Sequence, residues 1–232
     1  MSGNEPRARE WAAEYKRAQV HGQQLSIPSE TLVRLFKGDY VPGMPKNFTG
    51  MSALDVSCGD GNNAFFLCSL GLDVYATEIH EDICRDVGAK ASSFGYDLEV
   101  SVGTNTALPF PDDRFDFLVS WNVLHYERTE ENIRAGIEEY CRVLKPGGRF
   151  ILSTTGPNHK ILQDGRTVGS HLYEIARDDD FRKGERFFYF DAPNYLHYYF
   201  DPIFEEVRIG RIHDELFTAT LDWWIVTGRK KI

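Results

Sequence analysis

Cysteine is scarce in this chain and follows no pattern. Cys58, Cys68, Cys84 and Cys141 form no CxxC pair and have no histidine at zinc spacing, which excludes a zinc knot and a secreted disulfide framework and predicts reduced thiols. No metal site is expected. Long apolar runs are lacking as well: none approaches the ~20 residues of a membrane span. Glu5, Arg7, Arg9 and Glu10 stand where a signal peptide would carry its apolar stretch, so a cytoplasmic protein without membrane association is expected. Basic excess is also missing. Against 35 Asp and Glu there are 26 Lys and Arg, for a formal charge of -9, and such a surface repels phosphate backbones. Arg182-Lys183 and Arg229-Lys230-Lys231 are too short to reverse this, so nucleic acid is not expected as a partner.

What is present is ordinary globular composition, 42% hydrophobic and 26% charged over 232 residues, enough for one domain with a full sheet and its covering helices. The pattern predicts helices over 9–24 and 28–37, the second opened by Pro28 in its first turn. A buried strand follows over 51–57, a helix over 64–70, a strand over 72–77, a helix over 80–93, a strand over 97–102 and another over 115–120. Ile133, Ile137, Tyr140, Cys141 and Leu144 recur at three- and four-residue steps, so 130–144 reads as an amphipathic helix. Lys145-Pro146-Gly147-Gly148 is expected to stop it before a fifth strand over 149–154. After residue 156 come a polar loop, an aromatic strand-like run over 186–190, a short helix near 193–199, and two segments, 204–212 and 219–228, joined by a turn around His213-Asp214.

Alternation of this kind implies right-handed crossovers and a parallel sheet covered on both faces. The expected fold is α/β: a doubly wound, Rossmann-like seven-stranded sheet, mostly parallel with an antiparallel last strand, with N-terminal helices and an inserted aromatic lid. A single domain over 1–232 is expected, made of a helical lid (1–45), a cofactor core (50–155), an acceptor-side insertion (156–200) and closing strands (201–232).

Such sheets bind ligands at the carboxyl ends of their strands. There the chain carries Asp55 within the strand end and Ser57, Gly59 and Gly61 in the loop after it, whose glycines let backbone amides approach a ligand. Asp55 could hold a ligand ammonium directly or through water. Glu78 follows the second strand, placed to accept from both hydroxyls of a ribose. Thr104-Asn105-Thr106-Ala107-Leu108-Pro109-Phe110 could present polar groups to an adenine edge, and Leu144 to Gly148 has an architectural role.

Taken together, residues 54–61, Glu78, 104–116 and 144–148 resemble the motifs of class I S-adenosylmethionine-dependent methyltransferases of the small-molecule type. The resemblance covers roughly residues 50–155, with Ser57 where the family usually has Gly and Thr104 where it usually has an acid or Asn. It implies S-adenosylmethionine as cofactor, with Asp55, Ser57, Gly59, Gly61, Glu78, Ile79, Thr104, Asn105, Ser120 and Trp121 around it. It also implies methyl transfer to a small-molecule acceptor by in-line displacement. His125 and His159 are the candidate bases, and aromatics at 187–190 and 195–200, with Trp11 and Tyr15, could wall the acceptor pocket. A nicotinamide-dependent oxidoreductase and a non-catalytic scaffold are the alternatives. The sequence is compatible with a monomer or a dimer.

Overall fold

The coordinates are a computed structural model that describes residues 5–20, 27–163, 165–178 and 180–232. The chain groups into two compact units, Met1–Thr104 and Asn105–Ile232.

In the first unit, helix α1 (Glu5–Val20) and helix α2 (Glu30–Lys37) precede strand β1 (Ser52–Val56), helix α3 (Asn62–Ser69), strand β2 (Asp73–Glu78), helix α4 (Glu81–Ser93) and strand β3 (Glu99–Val102). Residues 21–24 of the expected first helix lie outside the described residues. Pro28 is not in the first turn of α2; it precedes the N-cap Ser29. Strand β1 is buried at every position, as a strand covered on both faces must be. It pairs parallel to β2 with Asp55 opposite Ala76, and β2 pairs parallel to β3. Helix α4 is started by its sequence: the His80 ring accepts from the Asp82 amide at 3.1 Å, and Glu81 and Asp82 lie at the positive end of the dipole.

The second unit contains strand β4 (Phe115–Trp121), helix α5 (Glu130–Val143), strand β5 (Leu144–Thr155), strands β6 (Gly165–Gly169), β7 (Leu172–Ile175) and β8 (Arg186–Phe188), helix α6 (Pro193–Phe200), and strands β9 (Phe204–Leu216) and β10 (Ala219–Lys230). Strand β4 is parallel to β5. Strand β10 runs antiparallel to both β5 and β9, so the last strand of the chain is inserted between them. Helix α5 buries Ile133, Gly136, Ile137, Tyr140 and Val143; Ile133, Ile137 and Tyr140 belong to the expected stripe, whereas Cys141 is half-buried and Leu144 begins β5. Strands β1 to β5, β9 and β10 make a seven-stranded, mostly parallel Rossmann-like sheet.

Three local expectations need correction. Leu144 to Gly148 does not end the helix ahead of the strand but lies inside β5. Leu144 pairs with Phe115, the register then jumps to Phe117 opposite Arg149, and the intervening residues bulge around Gly147 at φ 74°. The Arg229 guanidinium donates to the Gly147 carbonyl at 3.0 Å and fastens the bulge to β10. The turn expected at His213-Asp214 is strand, because β9 and β10 stay paired as far as Leu216 opposite Ala219. Finally, the polar loop after 156 contains β6 and β7, which with β8 form a separate three-stranded antiparallel sheet. The polar, mostly exposed residues of β6 gave no apolar alternation to read.

Candidate functional site

In the first unit the chain leaves β1 through a loop that only unusual backbone angles permit. Ser57, Gly59 and Gly61 all have positive φ, at 53°, 59° and 78°. Gly61 caps α3, and a Cβ there would fall 2.6 Å from Phe65 and 2.8 Å from Val87. Ser57 takes the left-handed conformation that glycine adopts without cost, helped by the Thr77 hydroxyl accepting from its amide at 3.2 Å.

The Glu78 carboxylate faces this loop. It accepts from the Gly59 amide at 2.9 Å and from the Ile79 amide at 2.7 Å, and the residue is 4% exposed. Burial pushes its carboxyl above the usual range, against the pull of those two amides. Asp55 lies deeper, at 1% exposure. The Ala64 amide of α3 hydrogen-bonds its carboxyl, but burial, reinforced by the charge of Glu78, pushes it up to about 8. Its Oδ2 is buried with no hydrogen-bond partner. Thr104, half-buried, closes the unit two residues after β3. A groove beside the loop is lined by Tyr15, Gly59, Asp60, Asp82, Val87 and Lys90. Tyr15, expected at an acceptor wall, lies over Gly59: a Cβ there would sit 2.9 Å from its hydroxyl.

In the second unit, Asn105 and Ser120 belong to a buried relay. The Tyr140 hydroxyl donates to Asn105 Oδ1 at 2.5 Å and lies 2.9 Å from Ser120 Oγ. Asn105 in turn donates to Glu127 at 2.9 Å. Trp121, half-buried, ends β4 opposite Ser153. The loop after Asn105 is pinned by a pair that sequence reading missed: Arg142 donates to the Leu108 and Phe110 carbonyls at 3.1 and 2.8 Å, and Glu139 accepts from the Leu108 amide at 3.0 Å. At three-residue spacing on a helix the pair reads as an ordinary surface ion pair, so no signal singled it out.

His125 and His159 are both buried, at 1% and 4% exposure. His125 packs among aromatic rings, 4.6 Å from Tyr126, 5.7 Å from Phe187 and 5.9 Å from Trp223 between centroids. His159 lies 4.1 Å from the Trp223 ring. Its Nδ1 accepts from the Ile161 amide at 3.1 Å, so in the neutral ring the hydrogen resides on Nε2, which has no partner. Burial, with the nearby Lys160 charge, pushes its pKa down to about 4 and keeps it neutral.

The segment bearing His159 is held by Asp222, also missed. Fully buried, Asp222 accepts from Arg211 at 2.7 and 2.9 Å and from the Asn158 amide at 2.8 Å. A lone acid inside the apolar run Leu221 to Val226 was the available signal. Of the aromatics expected to wall a pocket, Phe187, Phe188, Phe190, Tyr199 and Phe200 are core; Phe200, for one, stacks on Phe150 at 5.1 Å.

Residues 53–148 match the family described as a methyltransferase domain. The sheet described above is Rossmann-like, and residues 53–148 are the part of the chain that is similar to that family. In sequence, the chain is similar to the ubiquinone/menaquinone biosynthesis C-methyltransferase UbiE of Rickettsia massiliae (strain Mtu5), at 30% identity over 128 residues, 52% of this chain and 50% of that protein. To the UbiE of Rickettsia bellii (strain OSU 85-389) it is 29% identical over 140 residues, 56% and 54% of the two chains. The chain thus spans about half the length of the curated relatives it matches. In structure it is similar to a SAM-dependent methyltransferase from Methanosarcina mazei, with TM-score 0.69, 20% identity and coverage of 89% of this chain and 100% of that one. It is also similar to the Burkholderia thailandensis 1,6-didemethyltoxoflavin-N1-methyltransferase, solved with 1,6-didemethyltoxoflavin and S-adenosylhomocysteine. That likeness has TM-score 0.66, 16% identity and coverage of 100% and 92%.

Proposed function

We propose that this protein binds S-adenosylmethionine and transfers its methyl group to a small-molecule acceptor. The observation that carries the reading is a buried carboxylate pair with an unspent oxygen. Asp55 Oδ2 has no hydrogen-bond partner, and a buried polar atom left unsatisfied is an exception that asks for a partner. A ligand bearing an ammonium and a sulfonium fits that demand. Glu78 fits as well, because each of its oxygens keeps a lone pair after accepting from Gly59 and Ile79, leaving acceptors for ribose hydroxyls. Ser57 and Gly61 shape the loop that Glu78 faces, and Ile79 and Thr104 complete the cofactor residues that this reading takes from the first unit. The pyrophosphate of a nicotinamide dinucleotide would instead bring negative charge to the loop that the Glu78 carboxylate faces, which disfavours the oxidoreductase alternative.

When bound, the cofactor supplies an activated methyl group, and the protein's own task is to hold an acceptor in line and exclude water. His159 serves as a hydrogen-bond donor to the acceptor rather than as a base, since its basic nitrogen is taken by the Ile161 amide. That leaves His125 as the side chain to receive a proton from an acceptor of high pKa. No helix among the described residues is long and apolar enough to cross a membrane, and no cluster of three or more metal-ligating side chains is found among them. We take the enzyme to act in the cytoplasm on a small molecule and not on nucleic acid, on the strength of its acidic excess.

Calorimetric titration of the full chain tests the cofactor. S-adenosylhomocysteine should bind and NAD should not; preference for NAD would overturn the reading. Methyl transfer to members of a metabolite library then separates an enzyme from a scaffold that only binds.

A further inference from the structure

We infer that the cleft between the loop after β5 and the overhanging end of the β9-β10 hairpin binds an uncharged, hydroxyl-rich small molecule. The cleft belongs wholly to the second unit. Because the reading above has His159 donate to the methyl acceptor, the same ligand is that acceptor, and this one step rests on that reading.

One wall is a two-stranded ribbon. Strand β10 pairs with β5 only as far as Trp223 opposite Thr155, whereas it pairs with β9 as far as Ala219 opposite Leu216, so the hairpin end overhangs the sheet. In that stretch His213 stands opposite Asp222, and Glu215 opposite Thr220. Residues directly opposite, and residues two apart on one strand, share a face. All four side chains therefore project from one side of the ribbon.

The other wall is the chain that leaves β5, and Asp222 binds it to that face. The Asp222 carboxylate accepts from the Asn158 amide at 2.8 Å, and its backbone carbonyl accepts from the Gly156 amide at 2.9 Å. A Cβ on Gly156 would lie 2.7 Å from the Asp222 carboxyl carbon, so glycine is needed for the walls to come this close. Beyond Asn158 the loop folds into short turns, with the Leu162 amide donating to the His159 carbonyl at 2.9 Å and Gln163 to Lys160 at 3.0 Å. Its far end is held by Tyr173 of β7, whose hydroxyl donates to the Leu162 carbonyl and accepts from the Gly165 amide at 2.9 Å. The walls are thus fixed by the protein itself, as those of small-molecule sites usually are.

The cleft has a volume of about 540 Å³, within the range of such sites. Asn158, His159 and Gln163 line it from the loop, and His213, Glu215 and Thr220 from the ribbon. Amides and a threonine hydroxyl both donate and accept, a carboxylate accepts, and a neutral imidazole donates through one nitrogen. His159 is the buried member of the set, and its Nε2 has no partner. A buried donor of this kind asks for one. A ligand hydroxyl has one hydrogen to give and two lone pairs to offer, so a molecule rich in hydroxyls matches this mixed lining.

Ligands of other chemistry fit less well. Among the described residues that line the cleft there is no Lys or Arg, and Glu215 adds a negative charge, so a phosphate or carboxylate finds no cation to pair with. Arg211, on the same face of β9, gives its Nε and Nη2 to Asp222 at 2.7 and 2.9 Å. His213 lies 3.4 Å from each of the Asp222 and Glu215 carboxylates, so a charge on its ring is matched within the protein. A ligand cation would face the Lys160 charge that His159 already feels, and would bring no acceptor for the Nε2 hydrogen. An apolar ligand would strip water from these polar groups without replacing it.

The experiment is a titration of the full chain, isotope-labelled and followed in its amide NMR spectrum. The probes are methyl α-D-glucopyranoside, methyl α-D-mannopyranoside and myo-inositol, with inorganic phosphate and ethanolamine as charged counterparts. At least one of the polyols should give saturable shifts confined to amides of 156–163 and 213–220, and neither charged probe should. In the double variant Gln163→Ala with Thr220→Val, one change in each wall, the polyol should bind about tenfold more weakly, the scale of losing two hydrogen bonds. Unmoved amides in β1 to β3 check that the variant keeps its fold.

Shifts from phosphate or ethanolamine in place of the polyols would overturn the inference, as would silence at these amides with every probe. Polyol binding that the double variant leaves unchanged would overturn it too, because the contact would then lie elsewhere. S-adenosylhomocysteine is titrated separately and followed at amides of 57–61. Its failure to bind would remove the cofactor reading, and with it the role of acceptor for this ligand, but not the cleft.

Discussion

Two buried polar clusters, one in each unit, differ in how far their hydrogen-bonding capacity is spent. In the second unit Ser120, Tyr140, Asn105 and Glu127 pass hydrogen bonds from one to the next, so the cluster consumes its own donors and acceptors. Burial drives the Tyr140 phenol further up from its usual pKa and fixes it as a neutral link. In the first unit Asp55 and Glu78 are as deeply buried, yet one carboxyl oxygen is left without a donor. A closed cluster rigidifies a core. An open one leaves hydrogen-bonding capacity unspent.

Four measurements break or sharpen this contrast. Gly61→Ala should be the most damaging change, because its Cβ would collide with Phe65 and Val87 at a left-handed φ. The loss should be about 2–4 kcal/mol in denaturant unfolding, and a smaller one would mean that the loop yields easily. Glu78→Ala should weaken S-adenosylhomocysteine binding by ~1.5–3 kcal/mol in calorimetry. Its counterpart in the closed cluster, Tyr140→Phe, should cost about 1–2 kcal/mol of stability while leaving ligand affinity unchanged; equal damage to binding would dissolve the distinction.

The third measurement concerns Asp55, whose folded-state pKa is about 8 against an ordinary 3.8. Between those values the folded chain binds more protons than the unfolded one, so this residue lowers stability as pH rises from about 4 to 8. Asp55→Asn should therefore make the ligand-free protein more stable near neutrality, on the order of 1–2 kcal/mol, with the gap closing towards pH 4. A gap independent of pH would contradict the raised pKa. The smallest effect belongs to Ser57→Gly, which relieves a left-handed residue at the entropic cost of glycine. Stability should stay within about 1 kcal/mol, shifting upward in thermal unfolding; a loss would mean that the serine side chain supports the loop.

The sequence by itself determined the order of elements from β1 to β5, because buried strands and one-faced helices write their period directly into the apolar residues. It also placed Gly59, Gly61 and Glu78 just after strand ends, because the apolar runs stop there and glycine takes left-handed turns freely. Of the three-stranded sheet the aromatic run holding β8 was legible, whereas β6 is polar and exposed and β7 is only four residues long, too short to show a period. Only tertiary structure decided what each buried polar group finds opposite it. Asp55 and Asp222 are both acids inside apolar strands, yet Asp222 meets Arg211 and the Asn158 amide, whereas Asp55 retains an oxygen that nothing meets. Asp222 thereby holds the segment that carries His159, whose free Nε2 hydrogen likewise follows from the Ile161 amide taking the other nitrogen. Residue type sets what a side chain can donate or accept, but whether that capacity is spent depends on neighbours that only the folded chain assembles.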